Sequence, residues 1–196
     1  MKKIIIGITG ASGVVYGIKL LEFLKRNRVK TYVIISEAAK KIMEIETEYN
    51  FETILSLADF VYDNKEMEAK VASGSFVCDG MIIIPCSIKT LSGVANSYND
   101  NLITRSADVT LKEGRRLVMM IRETPFHKGH LKLMLKAADN GACIMPAIPA
   151  FYHKPETIED VINHTLGKIC DYMRIDNNFF KRWNGIDFRV DRPTLF

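Results

Sequence analysis

The sequence predicts a three-layer α/β fold, a mostly parallel sheet with helices on both faces. Short β-branched runs alternate along the chain with longer stretches of helical period, the pattern of strand, crossover helix and parallel strand. The strand-like runs carry few alternating polar residues, as strands covered on both faces require. Of 196 residues, 47% are hydrophobic, which suffices for one packed core.

The first strand is read at Lys3–Ile8, around the run Ile4-Ile5-Ile6. A helix follows over Val14–Arg26, with Ile18, Leu20, Leu21 and Leu24 at helical spacing. The second strand, Lys30–Ile35, ends at Ser36, which is placed to cap a helix opening Glu37-Ala38-Ala39-Lys40, with an acidic residue in its first turn. Residues 59–75 are polar and irregular and read as a helix end followed by a loop. Further strands are expected at 80–84, 117–121 and 142–145. A helix at 128–140 carries Leu131, Met134, Leu135 and Ala138 on one face, and Gly141 is its stop signal. The assembled pattern is Rossmann-like or flavodoxin-like: one domain over 1–185, with a tail at 186–196.

A net charge of +4 is mild beside the clustered basic face of a nucleic-acid binder, and excludes that class as the first reading. No apolar run approaches the ~20 residues of a membrane span. The chain enters its first strand at once, without the apolar stretch and cleavage site of a signal peptide. Cys78, Cys86, Cys143 and Cys170 form no C-x-x-C pair and have no histidine at zinc-finger spacing, so no metal is expected. Reduced thiols in a cytoplasmic protein follow.

Four constellations carry chemistry. Gly7-Ile8-Thr9-Gly10-Ala11-Ser12-Gly13 joins a strand to a helix, where backbone N–H groups and a positive dipole end suit a phosphate or a flavin edge. The spacing is not G-x-G-x-x-G, and Ser36 stands where a dinucleotide site needs an acid, so a dinucleotide is disfavoured. Glycines that merely permit a tight turn are the alternative. Pro85-Cys86-Ser87-Ile88-Lys89-Thr90-Leu91 lies at the end of an apolar strand, marking either the ligand edge or a plain helix cap; the polar run Asn96–Leu102 beyond it is placed to close a site or a subunit. Arg105, Lys112, Arg122 and Glu123 combine cations suited to a phosphate with a carboxylate able to move a proton, although solvated surface charges have the same composition. Pro149-Ala150-Phe151-Tyr152-His153-Lys154-Pro155 is a stiff aromatic loop whose tyrosine, with Lys168, suits an anionic group; Trp183 reads as a packing anchor or a lid.

Thr9-Gly10-Ala11-Ser12-Gly13, Ser73-Gly74-Ser75, Pro85-Cys86-Ser87-Ile88-Lys89-Thr90-Leu91, Asn101-Leu102-Ile103-Thr104-Arg105, Leu111-Lys112-Glu113, Arg122-Glu123-Thr124-Pro125 and Pro149-Ala150-Phe151-Tyr152-His153 occur in that order over nearly the whole chain. This succession resembles the UbiX-type flavin prenyltransferases. Phe180-Lys181-Arg182-Trp183-Asn184-Gly185 is similar to the subgroup encoded with phenolic-acid decarboxylases as their B subunit.

The resemblance implies transfer of a dimethylallyl group from dimethylallyl phosphate to N5 and C6 of reduced FMN, without a metal. The prenylated FMN then serves a separate UbiD-type decarboxylase. By motif, Gly10, Ala11, Ser12, Ser36, Ser87, Ile88, Lys89, Thr90 and Arg122 would bind FMN. Tyr152, Lys168 and Lys112 would hold the prenyl phosphate, Glu123 would be the acid/base carboxylate, and Ser12 and Glu46 would line the reacting centre, with Lys112 counted among the catalytic groups. Lys168 departs from relatives that carry Arg there, replacing a bidentate fork with a point charge; Gly114 and Ile121 stand where relatives often have Arg and Pro. Homo-oligomers, commonly dodecamers with sites between subunits, are also implied. Flavin-dependent cysteine decarboxylases are similar in fold but rely on a histidine in the first half of the chain, whereas His127, His130, His153 and His164 all come later. A non-catalytic FMN-storing partner of a decarboxylase is the third reading.

Overall fold

The computed structural model describes residues 1–183 and 185, so the expected tail at 186–196, and Asn184, lie outside the described residues. Six strands form one sheet: β1 (Lys3–Ile8), β2 (Lys30–Ile35), β3 (Phe60–Asp63), β4 (Gly80–Cys86), β5 (Arg116–Ile121) and β6 (Ala142–Ile144). Among the described residues the helices are α1 (Val14–Arg26), α2 (Glu37–Glu46), α3 (Phe51–Leu57), α4 (Ile88–Ala95), α5 (Leu102–Lys112), α6 (Lys128–Asp139) and α7 (Ile158–Tyr172). Every neighbouring pair of strands is parallel, in the order β3-β2-β1-β4-β5-β6. The expected α/β class is therefore correct, and the sheet is wholly parallel.

The chain winds outward from β1 to β3, then returns to lay β4 on the other side of β1. Connections leave the carboxyl ends of β1 and β4 in opposite directions and open a crevice there, the place where open α/β sheets bind ligands. Alternate residues of the buried strands supply two cores. Ile4, Ile6, Ile82 and Ile84 pack with α1 and α7 through Ile18, Leu21, Leu166 and Ile169. Ile5, Met81, Ile83 and Met119 pack on the opposite face with α4 and α5 through Leu91, Val94, Leu102 and Ile103. No described helix is long and apolar enough to cross a membrane.

The structure corrects the reading of residues 59–75. α3 already ends at Leu57, before this segment, which instead forms the edge strand β3 and then a 3₁₀ turn at Lys70–Ala72. Four half-buried residues, Phe-Val-Tyr-Asp, are too few to display a period. They are held by the ladder to β2 and by the Phe60 ring, stacked on Tyr32 at 4.8 Å and 3°. The Lys70 ammonium lies 4.0 Å from the Phe60 centroid and 4.9 Å from that of Tyr32. The register between β4 and β5 shifts between Ile83 and Cys86, where Pro85 has no N–H to donate, yet β4 runs on to Cys86 instead of ending at 84. Elsewhere the boundaries move by a single residue.

Because β3 depends on this aromatic pair, Phe60→Ala should cost about 2–3 kcal/mol, less than a fully buried phenylalanine. Urea unfolding measures it, and a loss within 0.5 kcal/mol, roughly the scatter of surface substitutions, would show that the ladder alone holds the edge.

Candidate functional site

A cavity of about 1000 Å³ opens over the carboxyl ends of β1 to β4, lined by Thr9, Gly10, Ser36, Asn64, Ser87, Lys89, Thr90, Tyr98 and Asn101 among others. Three helices begin at its wall, and each is capped by a side chain that faces it. Ser36 accepts from the Ala39 N–H of α2, Ser87 from the Thr90 N–H of α4, and Asn101 from the Thr104 N–H of α5. Asn64, just beyond β3, accepts the Leu102 and Ile103 N–H groups of α5 through its carbonyl and side-chain oxygens at 2.9 and 3.0 Å. Three positive dipole ends thus converge on one volume, a setting for an anion.

Side-chain charge agrees. Of the three carboxylates on the wall, Glu37 and Asp63 both meet the Lys40 ammonium, at 2.6 and 3.6 Å. The Lys65 backbone N–H, and then the Lys40 charge, hold the Asp63 carboxyl below its usual range. Lys65 and Lys89 add positive charge to the same wall. The volume is at the upper end of the ~300–1,000 Å³ typical of small-molecule sites, enough for a tricyclic ring with a ribityl phosphate.

The turns that form the floor are tied by Thr9, which is 2% exposed. Its hydroxyl donates to the Pro85 carbonyl and accepts the Ser87 N–H, both at 2.8 Å. Gly10 then passes α2 so closely that a Cβ there would overlap the Ala38 methyl. Gly13 starts α1 with φ 95°, a left-handed conformation that glycine adopts without strain, and its N–H donates to Glu46 Oε2 at 2.7 Å. Glu46, at the end of α2, is therefore fastened to the loop that holds Ser12.

Of the proposed FMN ligands, Gly10, Ser36, Ser87, Lys89 and Thr90 line the cavity together. Ala11 and Ser12 continue the Gly10 loop, Ile88 opens α4, and Arg122 donates its backbone N–H to the Cys86 carbonyl at 3.1 Å. Glu123 follows beyond β5, its carboxylate accepting the Thr124 N–H at 3.0 Å. Burial pushes the Cys86 thiol far up, which leaves it a packing group.

Other expected partners lie elsewhere in this chain. Lys112 precedes β5 while Glu123 follows it, so the six residues of the strand separate them by about 20 Å. Lys112 instead pairs with Glu113 beside Gly74, which holds the Glu113 carboxyl below its usual range. Tyr152 bonds to His164 of α7, on the sheet face opposite α4 and α5, and Lys168 follows one helical turn later. Thr9 stood in the quoted motif without an assigned role, and Asn64 went unnoticed because the strand before it did. A buried hydroxyl's partners cannot be read from sequence.

Thr9→Val removes the hydroxyl while keeping the shape, leaving the Ser87 N–H without its partner and the Pro85 carbonyl with the longer bond from the Thr9 backbone N–H, at 3.3 Å. A loss of about 1–3 kcal/mol in denaturant unfolding is expected, and an unchanged midpoint would show that the two turns hold without the bridge.

The Flavoprotein family model matches residues 1–176. The flavin prenyltransferase UbiX of Thauera aromatica is 50% identical over 187 residues, covering 95% of this chain and 96% of that protein. The crystal structure of AnUbiX (PadA1) in complex with FMN and dimethylallyl pyrophosphate superposes with a TM-score of 0.92 at 44% identity, covering 95% of this chain and 99% of that one. A dodecameric FMN-dependent Ubix-like decarboxylase from Escherichia coli O157:H7 gives a TM-score of 0.91 at 42% identity, covering 93% of this chain and all of its own. With the fold and the sequence matched over nearly its full length, the chain belongs to the flavoprotein family and, within it, to the UbiX-type flavin prenyltransferases.

Proposed function

We propose that this protein transfers the dimethylallyl group of dimethylallyl phosphate to N5 and C6 of reduced FMN, making prenylated FMN for a UbiD-type decarboxylase. The observation that carries the reading is the near full-length match to AnUbiX, whose complex contains FMN and a dimethylallyl donor. The cavity fits the flavin, because its three capped helix starts, Ser and Thr hydroxyls, and Lys89 suit a ribityl phosphate. Gly10, Ala11, Ser12, Ser36, Ser87, Ile88, Lys89, Thr90 and Arg122 are assigned to it.

Reduced FMN supplies the electron-rich ring atoms to which the prenyl group is joined. The chain's own residues handle charge, proton and water. Breaking the allylic C–O bond leaves negative charge on the departing phosphate, which Lys112, Tyr152 and Lys168 are assigned to stabilise. Closing the second bond at C6 releases a proton, and Glu123 or the departing phosphate takes it. Ser12 and Glu46, joined through the Gly13 loop, line the reacting centre. Tyr152 and Trp183, whose rings are 6.1 Å apart, would exclude water that otherwise captures the allylic cation as an alcohol.

Lys112, Tyr152 and Lys168 reach the flavin when copies of the chain meet, so the reading includes a homo-oligomer with composite sites. The dodecameric relative supports this, as do the exposed Leu131, Leu135, Ile148 and Phe151. The domain is assigned to 1–185. A cytoplasmic location is part of the same reading, in keeping with four unpaired cysteines.

Anaerobic incubation with reduced FMN and dimethylallyl phosphate, or the pyrophosphate in parallel, should add one five-carbon unit to FMN by mass spectrometry. Bound, reduced flavin without that shift would refute the reading and favour an FMN-storing subunit. Glu123→Gln should retain FMN and slow product formation by about 10²- to 10⁴-fold, and unaltered turnover would remove Glu123 from the proton step. Light scattering should report an oligomer; a monomer would leave the phosphate ligands without a route to the flavin.

A further inference from the structure

His164 lies in the second turn of α7, only 7% exposed and outside every motif that points to the reaction. Its Nε2 is 2.7 Å from the Tyr152 hydroxyl. The ring is clamped on two sides: His153 stacks on it at 4.8 Å and 9°, and Phe180 lies 4.6 Å away at 55°. Tyr152 itself is 47% exposed, so this bond fixes the inner end of a side chain that otherwise faces solvent. Lys168 follows His164 by four residues and therefore shares its helix face. Burial, and then the neighbouring His153 and Lys168, lower the His164 pKa, which keeps the imidazole neutral at neutral pH. A neutral imidazole has one donor and one acceptor nitrogen, so it can orient a phenol without adding a charge to a phosphate site.

We infer that His164 is a positioning residue for the prenyl phosphate: it holds the Tyr152 hydroxyl at a fixed place beside Lys168, so that both meet the phosphate oxygens together. This rests on the proposed function, which assigns Tyr152 and Lys168 to that phosphate. The physical warrant is orientation. A tyrosine on a surface loop loses rotamer freedom when it binds an anion, and one already bonded through its hydroxyl to a clamped ring has lost it beforehand. The hydroxyl oxygen accepts from the imidazole Nε2–H, which leaves the phenol's own proton to donate to a phosphate oxygen.

Two substitutions separate the bond from the bulk. His164→Gln retains an amide able to reach the phenol, whereas His164→Asn is too short. His164→Asn should raise KM for dimethylallyl phosphate about 5- to 10-fold, leave FMN affinity unchanged and leave kcat within about twofold, and His164→Gln should recover most of the loss. In a Tyr152→Phe background, His164→Asn should add nothing further. An unchanged KM in His164→Asn, or a full additional rise in the Tyr152→Phe background, overturns the inference. Nitrogen NMR of the histidine rings uses native His164 and decides the matter even if His164→Asn does not fold: Tyr152→Phe should shift the Nε2 resonance, and an unmoved resonance overturns the inference. Wild-type protein that forms no five-carbon adduct overturns the proposed function; wild-type turnover with an indifferent His164 overturns the inference alone.

Discussion

The hydroxyl of Thr9 is where the two halves of the sheet are joined at the level of chemistry. β1 and β4 are neighbours, but their connections depart in opposite directions, and beyond the last β1 residue a long backbone bond from the Thr9 N–H to the Pro85 carbonyl, at 3.3 Å, leaves the Ser87 end of the β4 turn unfixed. The hydroxyl closes that gap by donating to one residue of the β4 turn and accepting from another two positions on. Ser87, so placed, caps α4, and its hydroxyl also lies 3.1 Å from that of Thr90. A run of hydroxyls from Thr9 to Thr90 thus forms the cavity floor. Each is bonded within the protein, and the Ser87–Thr90 pair, which uses one hydroxyl proton in its mutual bond, keeps the other to donate to a ligand.

Around this floor the proposed function gives the chain two kinds of anion site. The cavity uses backbone dipoles, which are rigid and need no side-chain ordering. The assigned donors to the leaving phosphate are side chains, Lys112, Lys168 and Tyr152, the last tethered to His164. Fixed dipoles suit a group that stays bound through the reaction. Mobile cations suit one that must enter, change charge and depart. Tyr152 and Lys168 lie with α7 on one face of the sheet, and Lys112 lies at the end of α5 opposite the one that opens on the cavity.

What could be read from the sequence follows from how each feature is encoded. β1, β2 and α1 were legible to the residue because long apolar runs bounded by Arg, Ser or Gly leave no alternative period. Ser36 was legible as a cap because cap chemistry is local. β3 was hidden, since four half-buried residues owe their strand state to Tyr32 and Lys70, which are distant in sequence. The hydroxyl bridge of Thr9 spans 76 residues to Pro85 and the Asn64 cap of α5 spans 39, so neither has a local signature. The separation of Lys112 from Glu123 was likewise invisible, because motif order says nothing about which end of a strand each motif occupies.

The two rims of the sheet have a bearing on how copies of this chain can associate. β3 offers four residues and β6 only three, so neither rim presents enough free backbone to template another strand. The exposed leucines of α6 and the aromatic loop before α7 are therefore the apolar surfaces left for the proposed association, and side chains specify angle in a way that a ladder does not. Association through such faces terminates when symmetry closes, whereas association through sheet edges repeats indefinitely. Short rims bias this protein toward a finite shell and away from a fibre.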